Sequence, residues 1–237
     1  MKRTIVSPWR FVVGPNILPE IGLHGRCLGA KALLMGGTRA LDAVESPICA
    51  SLRDNGLDVH VERGAAVDKT KPRVDALVSI GREQRVDFAI SCGGGRVSDC
   101  GKAVARDLDV PLIVVPTTAG TNAAATISSG IEQDDVPRRH WYRGRHVIFC
   151  DTRVIVDAGA RYLASGMGDV LPFGAGLRIA RELDRPGGAE SGTLGLSDAF
   201  PTAAAELIGG LTYDLVMQNG KRAYDAAAMG MPTDAVN

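Results

Sequence analysis

The chain has few aromatic residues, no surplus of either charge and no long apolar run, and each shortage excludes a class of protein. Aromatics are 5% of its 237 residues, and Lys+Arg and Asp+Glu total 27 each. A balanced chain has no field with which to attract nucleic acid or an anionic membrane, so neither is expected as a partner. No apolar run approaches the ~20 residues of a membrane-spanning helix. The Met1-Lys-Arg-Thr4 start lacks the apolar stretch of a signal peptide, and a cytoplasmic location is expected. The five cysteines (27, 49, 92, 100 and 150) contain no C-x-x-C pair and read as free, mostly buried thiols in a reducing compartment. Histidine is scarce too. His24 and His60 fall in the outer layers of the pattern described next, His140 and His146 in or beside a basic loop, and all four are expected at the surface.

Glycine (29 residues) and other small residues are plentiful. Short apolar runs alternate with amphipathic segments through the first half. Strands are predicted at Arg10–Gly14, Ala32–Met35, Leu57–Glu62, Phe88–Ser91, Val110–Val115 and Val147–Asp151, with helices at 46–55 and 72–83. Such alternation predicts a parallel sheet covered by helices on both faces. Residues 132–145, including Pro137-Arg-Arg-His-Trp-Tyr-Arg-Gly-Arg145, read as a basic surface hairpin or loop between the sheet and a second domain. Beyond about residue 160 the pattern is helical, at 160–166, 169–183, 201–219 and 221–229.

Two strand ends carry the chemistry. Phe88-Ala-Ile-Ser-Cys-Gly-Gly-Gly95 stops an apolar run at three glycines and leads directly into a helix. Such a turn lets backbone approach an anion and aims free N–H groups and the positive helix end at it. The triplet fits neither G-x-G-x-x-G nor a P-loop, and by itself it is equally a ligand-free tight turn. The second end, Val114-Val-Pro-Thr-Thr-Ala-Gly-Thr-Asn122, opens into small and hydroxylated residues. Parallel neighbours separated by one helix open at the same carboxyl edge, where α/β sheets bind ligands, so together they predict a dinucleotide cleft. The second strand ends in Gly36-Gly37-Thr38-Arg39, without the acid that often binds the adenosine ribose. Arg39 in its place favours acceptance of a 2′-phosphate, unless the two glycines are only a turn.

Three blocks, GGGRVSDCGKAVA, PTTAGTNAAATISSGI and DTRVIVDAGARYLASGMGDVL, resemble in order and spacing the signatures of the glycerol dehydrogenase branch of the iron-containing alcohol dehydrogenase superfamily. The resemblance runs from about Ile5 to the end of the chain. It implies an α/β fold whose N-terminal parallel-sheet dinucleotide-binding domain, residues 1–158, is followed by part of an all-helical domain, residues 159–237. It also implies hydride transfer between a small polyol or secondary alcohol and NAD or NADP, with a divalent metal, zinc or iron, polarising the alcohol. A homo-oligomer is implied as well.

By the same resemblance, Gly94, Gly95 and Arg96 match the pyrophosphate turn, and Asp99 and Lys102 match polar positions of the following helix. Lys102 reads equally as a solvated helix charge. Thr117, Thr118, Gly120, Thr126 and Ser128 match residues lining nicotinamide and ribose, where hydroxyls can both donate and accept. Asn122 stands at a substrate-contacting position that holds an aspartate in glycerol dehydrogenases. Asp169 matches a metal ligand, with a helix N-cap as the alternative. The family's ligand histidines lie later in the helical domain, whereas every histidine here precedes Asp169. The resemblance therefore implies that Asn237 falls inside a helix of that domain and that the metal site is incomplete on this chain. The competing reading is a non-catalytic nucleotide-binding remnant. A lyase-branch, dehydroquinate synthase-like relative or a glycerol-1-phosphate dehydrogenase is disfavoured, because neither characteristic pattern is visible.

Overall fold

The computed structural model describes residues 7–64, 68–182, 202–233 and 236. Six parallel strands form one sheet: β1 (Arg10–Gly14), β2 (Lys31–Gly36), β3 (Asp58–Arg63), β4 (Phe88–Gly93), β5 (Leu112–Pro116) and β8 (His146–Asp151), in the order β1-β8-β5-β4-β2-β3. Strands β6 (Ser128–Gln133) and β7 (Val136–Trp141) form a separate antiparallel hairpin. The helices are α1 (Ile21–Gly25), α2 (Thr38–Asp54), α3 (Lys71–Glu83), α4 (Gly95–Leu108), α5 (Thr152–Asp157), α6 (Ala160–Glu182) and α7 (Ala203–Ala228).

The central strands β2, β4 and β5 are nearly all apolar, buried Ser91 of β4 apart, because both faces are buried. Ala32, Leu34, Phe88, Ile90, Ile113 and Val115 pack on one side with Leu41, Ile48 and Leu52 of α2. Their alternating neighbours Leu33, Met35, Ala89, Leu112 and Val114 pack on the other with Val74 and Leu77 of α3 and Val104 of α4. Ile131 and Tyr142 join this second core. The basic hairpin thus lies on α4 instead of bridging to a second domain, and its first strand starts at Ser128, earlier than predicted.

Several boundaries differ from the sequence expectation for identifiable reasons. Helix α2 begins at Thr38 and carries Pro47 within it. The short α1 and α5 lack a full amphipathic period, so periodicity misses them; α5 is instead set by Asp151, which caps it by accepting from Arg153 N at 2.9 Å. Buried Asp151 also accepts from Asn16 N at 2.9 Å and Leu18 N at 3.2 Å, tying the loop after β1 to the end of β8. The pairs expected at 160–166 with 169–183 and at 201–219 with 221–229 are single helices, α6 and α7; residues 183 and 201 lie outside the described set. Gly166 does not break α6, because the helix backbone there rests on the β5 loop: a Cβ would sit 1.8 Å from Ala119 O. Among the described residues no helix is long and apolar enough to cross a membrane.

Candidate active site

The chain reverses direction across the sheet between β2 and β4, whose ends meet where Gly36 pairs with Cys92. In an open parallel sheet that reversal leaves a crevice at the carboxyl edge. A cavity of about 540 Å³ opens there. Its lining brings together Arg39, Gly94, Gly95, Arg96, Thr118 and Gly120, all singled out in the sequence, with Thr121, Tyr162 and Ser165. The cleft lies across β2, β4 and the β5 loop, so it is wider than the β4–β5 pair from which it was inferred. Gly94 is the N-cap of α4 and offers no capping side chain, which leaves the first helical N–H groups to a ligand. A Cβ on Gly94 would lie 3.1 Å from Thr118 Oγ1, so a side chain there would fill the cradle. The residues present fit a dinucleotide pyrophosphate.

Thr117, Asp99, Thr126 and Ser128 do not line that cavity. Thr117 is buried at the end of β5, its N–H donating to Gly93 O at 3.1 Å. The other three surround Lys102, which is 0% exposed. Its ammonium donates to Ala123 O at 2.9 Å, Thr126 O at 3.3 Å and Ser128 O, and pairs with Asp99 Oδ1 at 3.1 Å. Asp99 Oδ2 accepts from Gly130 N at 3.2 Å. Burial drives the lysine's pKa down while Asp99 opposes the shift. Lys102 is therefore no solvated helix charge. It braces residues 123–130 against α4, and its partners arrive from a loop that helix periodicity cannot reveal.

The braced loop carries Asn122. Its backbone N–H donates to Asp169 Oδ2 at 2.9 Å, and Thr121 Oγ1 donates to the same oxygen at 3.2 Å. Ser165 Oγ donates to Gly120 O at 3.1 Å. Asp169 lies inside α6 and caps no helix of its own; the 3-10 turn at Asn122–Ala125 is capped by Thr121, whose Oγ1 accepts from Ala123 N at 3.3 Å.

No histidine joins this carboxylate. His24, His60 and His140 are half-buried elsewhere, and His146 is 1% exposed in β8 beneath the hairpin. The surface expectation fails for His146, because the basic residues around it in sequence point outward while its own side chain lies under Tyr142, ring centroids 6.0 Å apart. Burial, then the Lys102 charge, push its pKa down to about 4. Among the described residues no three His, Cys, Asp or Glu side chains converge. The donors present do not fit a zinc or iron centre, which needs at least three protein ligands. Cys49, Cys92 and Cys100 are buried, Cys150 is half-buried and Cys27 is exposed; burial pushes the Cys100 thiol up to about 12 and the Cys150 thiol up to about 11.

The sequence profile of iron-containing alcohol dehydrogenases matches residues 8–158. The chain belongs to this family. Along its whole length it is 29% identical to a glycolaldehyde reductase of Halobacterium salinarum and 27% identical to a glycerol dehydrogenase of Escherichia coli O6:H1. It spans about 63% of the length of each of these relatives. A glycerol dehydrogenase structure from Schizosaccharomyces pombe superposes with a TM-score of 0.86 at 23% identity, over 99% of this chain and 58% of that one. A second, a probable glycerol dehydrogenase from Sinorhizobium meliloti, gives 0.85 at 22% identity, over 99% and 63%. At these identities the structural likeness is one of fold: the iron-containing alcohol dehydrogenase sheet and part of its helical region. The profile match ends before α6, so it includes the glycine turn and the β5 loop but not Tyr162, Ser165 or Asp169.

Proposed function

We propose that this chain carries the NAD(P)-binding part of a glycerol dehydrogenase-type oxidoreductase, which moves hydride between a small polyol or secondary alcohol and the nicotinamide. The observation that carries this reading is the cavity over Gly94–Gly95, framed by Thr118 and Thr121 at the reversal of the sheet. Gly94, Gly95 and Arg96 would hold the pyrophosphate, with Thr118 and Gly120 toward the ribose and nicotinamide, while buried Thr117 and the Lys102 partners Thr126 and Ser128 would support that wall from behind. Asp99 would act from behind, through the Lys102 brace. The bound nicotinamide supplies the hydride chemistry. The protein's part is to fix its position against Asn122, whose amide would hydrogen-bond the alcohol. The absent acid after β2 and the presence of Arg39 in the cavity lining support NADP binding at least as well as NAD.

The same reading divides the chain into a cofactor domain, 1–158, and a helical region, 159–237. A small apolar cluster of Val156, Ala160 and Ala227 at their junction supports the boundary. Exposed Leu207, Ile208 and Leu211 on α7 support a homo-oligomer, and the five unpaired thiols support a cytoplasmic setting. Metal dependence belongs to the family reading, but among the described residues only Asp169 is positioned for it. That single carboxylate favours a second reading, a nucleotide-binding chain without turnover of its own.

Isothermal titration with NAD and NADP tests the cleft. Binding by the 237-residue chain, abolished by Gly94→Val, is expected; no heat with either dinucleotide overturns the assignment. Zinc titration and glycerol oxidation separate the two readings. Weak zinc binding and no turnover favour the second, and robust metal-dependent oxidation the first.

A further inference from the structure

The dinucleotide cleft leaves one sequence block unused, the basic and aromatic run ending Trp141-Tyr-Arg-Gly-Arg145. This run walls a second cavity of about 460 Å³, which lies against the last turn of α4 and Pro111, at the opposite edge of the sheet from the cleft. The separation is the length of α4, whose 14 residues span roughly 20 Å. Three arginines, Arg106, Arg143 and Arg145, line the cavity against one acid, Asp109. Arg106 is paired with Asp107 at 2.7 Å. Neither Arg143 nor Arg145 pairs with a carboxylate among the described residues. Arg145 contacts the Cys27 carbonyl at 3.5 Å and lies 5.8 Å from the centre of the Trp9 ring.

The frame beneath these guanidiniums is held from three sides. Tyr142 is 3% exposed, and its hydroxyl lies 2.8 Å from Val110 O and 3.1 Å from Arg145 O. Leu112 N donates to Arg145 O at 2.9 Å. A Cβ on Gly144 would lie 2.4 Å from Tyr142 Oη, so only glycine lets the backbone lie directly on the fixed phenol. Residues 142–145 are thus pinned to β5 and the end of α4, with two unpaired cations carried on a rigid turn. Trp141 forms part of the wall, and its buried indole N–H has no hydrogen-bond partner.

We propose that this cavity is a second ligand site, for a small phosphate-bearing molecule, separate from the dinucleotide cleft. A planar guanidinium donates two parallel N–H bonds to phosphate oxygens, and a pair of them on a preorganised turn matches a dianion. The indole beside them supplies an apolar wall for the organic part of a phosphate ester. The volume lies within the roughly 300–1,000 Å³ of small-molecule pockets. Local cationic surplus stands out in a chain whose net charge is +0.

Trp9 and Trp141 are the chain's two tryptophans; Trp141 lines the site and Trp9 lies 5.8 Å from the Arg145 guanidinium, so intrinsic emission reports on it. Inorganic pyrophosphate is titrated without dinucleotide, at ionic strength held constant with sodium chloride. A saturable emission change is expected in the parent and in Gly94→Val. In the Arg143→Ala/Arg145→Ala variant the affinity falls at least about tenfold. Both arginine side chains are exposed, so its melting temperature stays that of the parent. The proposal is overturned by no saturable change in the parent, by an undiminished response in the double variant, or by loss in Gly94→Val, which would locate the ligand in the cleft. Tighter binding of a short DNA duplex through the same two arginines would also overturn it.

Discussion

The backbone N–H of Asn122 donates to Asp169 across 2.9 Å and joins the β5 loop to the middle of α6. This bond ties the loop that lines the glycine-turn cavity to the helix that contributes Tyr162 and Ser165 to the same cavity. In Asp169→Ala the Asn122 amide loses its acceptor, and its hydrogen exchange should accelerate by about fivefold, as for the loss of about 1 kcal/mol. Amides of β4 and β5 should keep their protection. Exchange by mass spectrometry with fragments covering 119–126 makes the comparison, and unchanged protection at Asn122 would show that other contacts hold the loop.

Removing the Lys102 ammonium leaves half-buried Asp99 with the more distant Lys69 at 3.9 Å and takes the donor from the carbonyls of Ala123 and Ser128. Truncating one partner of a buried charge pair costs about 3–5 kcal/mol, and that loss is expected for Lys102→Met in urea unfolding. Dinucleotide affinity should fall with it, because the Ala123–Ser128 segment loses its brace. A stability change below about 1 kcal/mol would mean that the pocket refills with water at little cost.

Arg39 should discriminate between cofactors. Arg39→Ala is expected to weaken NADP by about tenfold, the loss of one charge-assisted contact, and leave NAD nearly unchanged. Calorimetry on both cofactors reads the difference. Equal weakening, or a parent that clearly prefers NAD, would remove Arg39 from the ribose site.

His146 makes stability depend on pH in the mildly acidic range. Its folded-state value, about 4, lies below the 6.5 of the unfolded chain, so the unfolded state takes up the proton first. Its contribution is therefore complete above pH 6.5, declines as the pH falls from 6.5 toward 4, and is gone below that. The full swing is about 3 kcal/mol. Urea midpoints measured between pH 7 and 4 should fall accordingly, and His146→Phe should flatten the slope. A slope that survives the substitution assigns the effect to other groups.

The sheet was legible because its physics is written in single residues. Leu33 and Leu34 both meet a core, so β2 reads as an unbroken apolar run, and the glycines after β4 mark where a backbone must turn. What stayed hidden depends on partners far along the chain. Lys102 looks like any helix lysine until the carbonyls of residues 123, 126 and 128 close around it. His146 takes its sequence surroundings from exposed arginines and its spatial ones from Tyr142. Gly166 and Asp169 imitate a helix break and a cap, and only the approach of Ala119 O shows that the helix runs through them. Arg39 and the glycine turn, which line one cavity, could be singled out in the sequence because the chemistry expected of them requires the residue type itself.

The position of β1 bears on how the chain acquires its fold. Arg10–Gly14 pairs with Val147–Asp151 at one edge of the sheet, and Asp151 then closes the loop around Asn16 and Leu18. Strand β1 therefore has no partner until β8, more than 130 positions later in the sequence, has been made. Pairings of such long sequence separation are slow to form, and an unpaired apolar strand is exposed to aggregation while it waits. Strands β2, β3, β4 and β5 can assemble in order as they emerge, so the β1 edge is the step at which expression temperature and chaperone supply set the yield of folded protein.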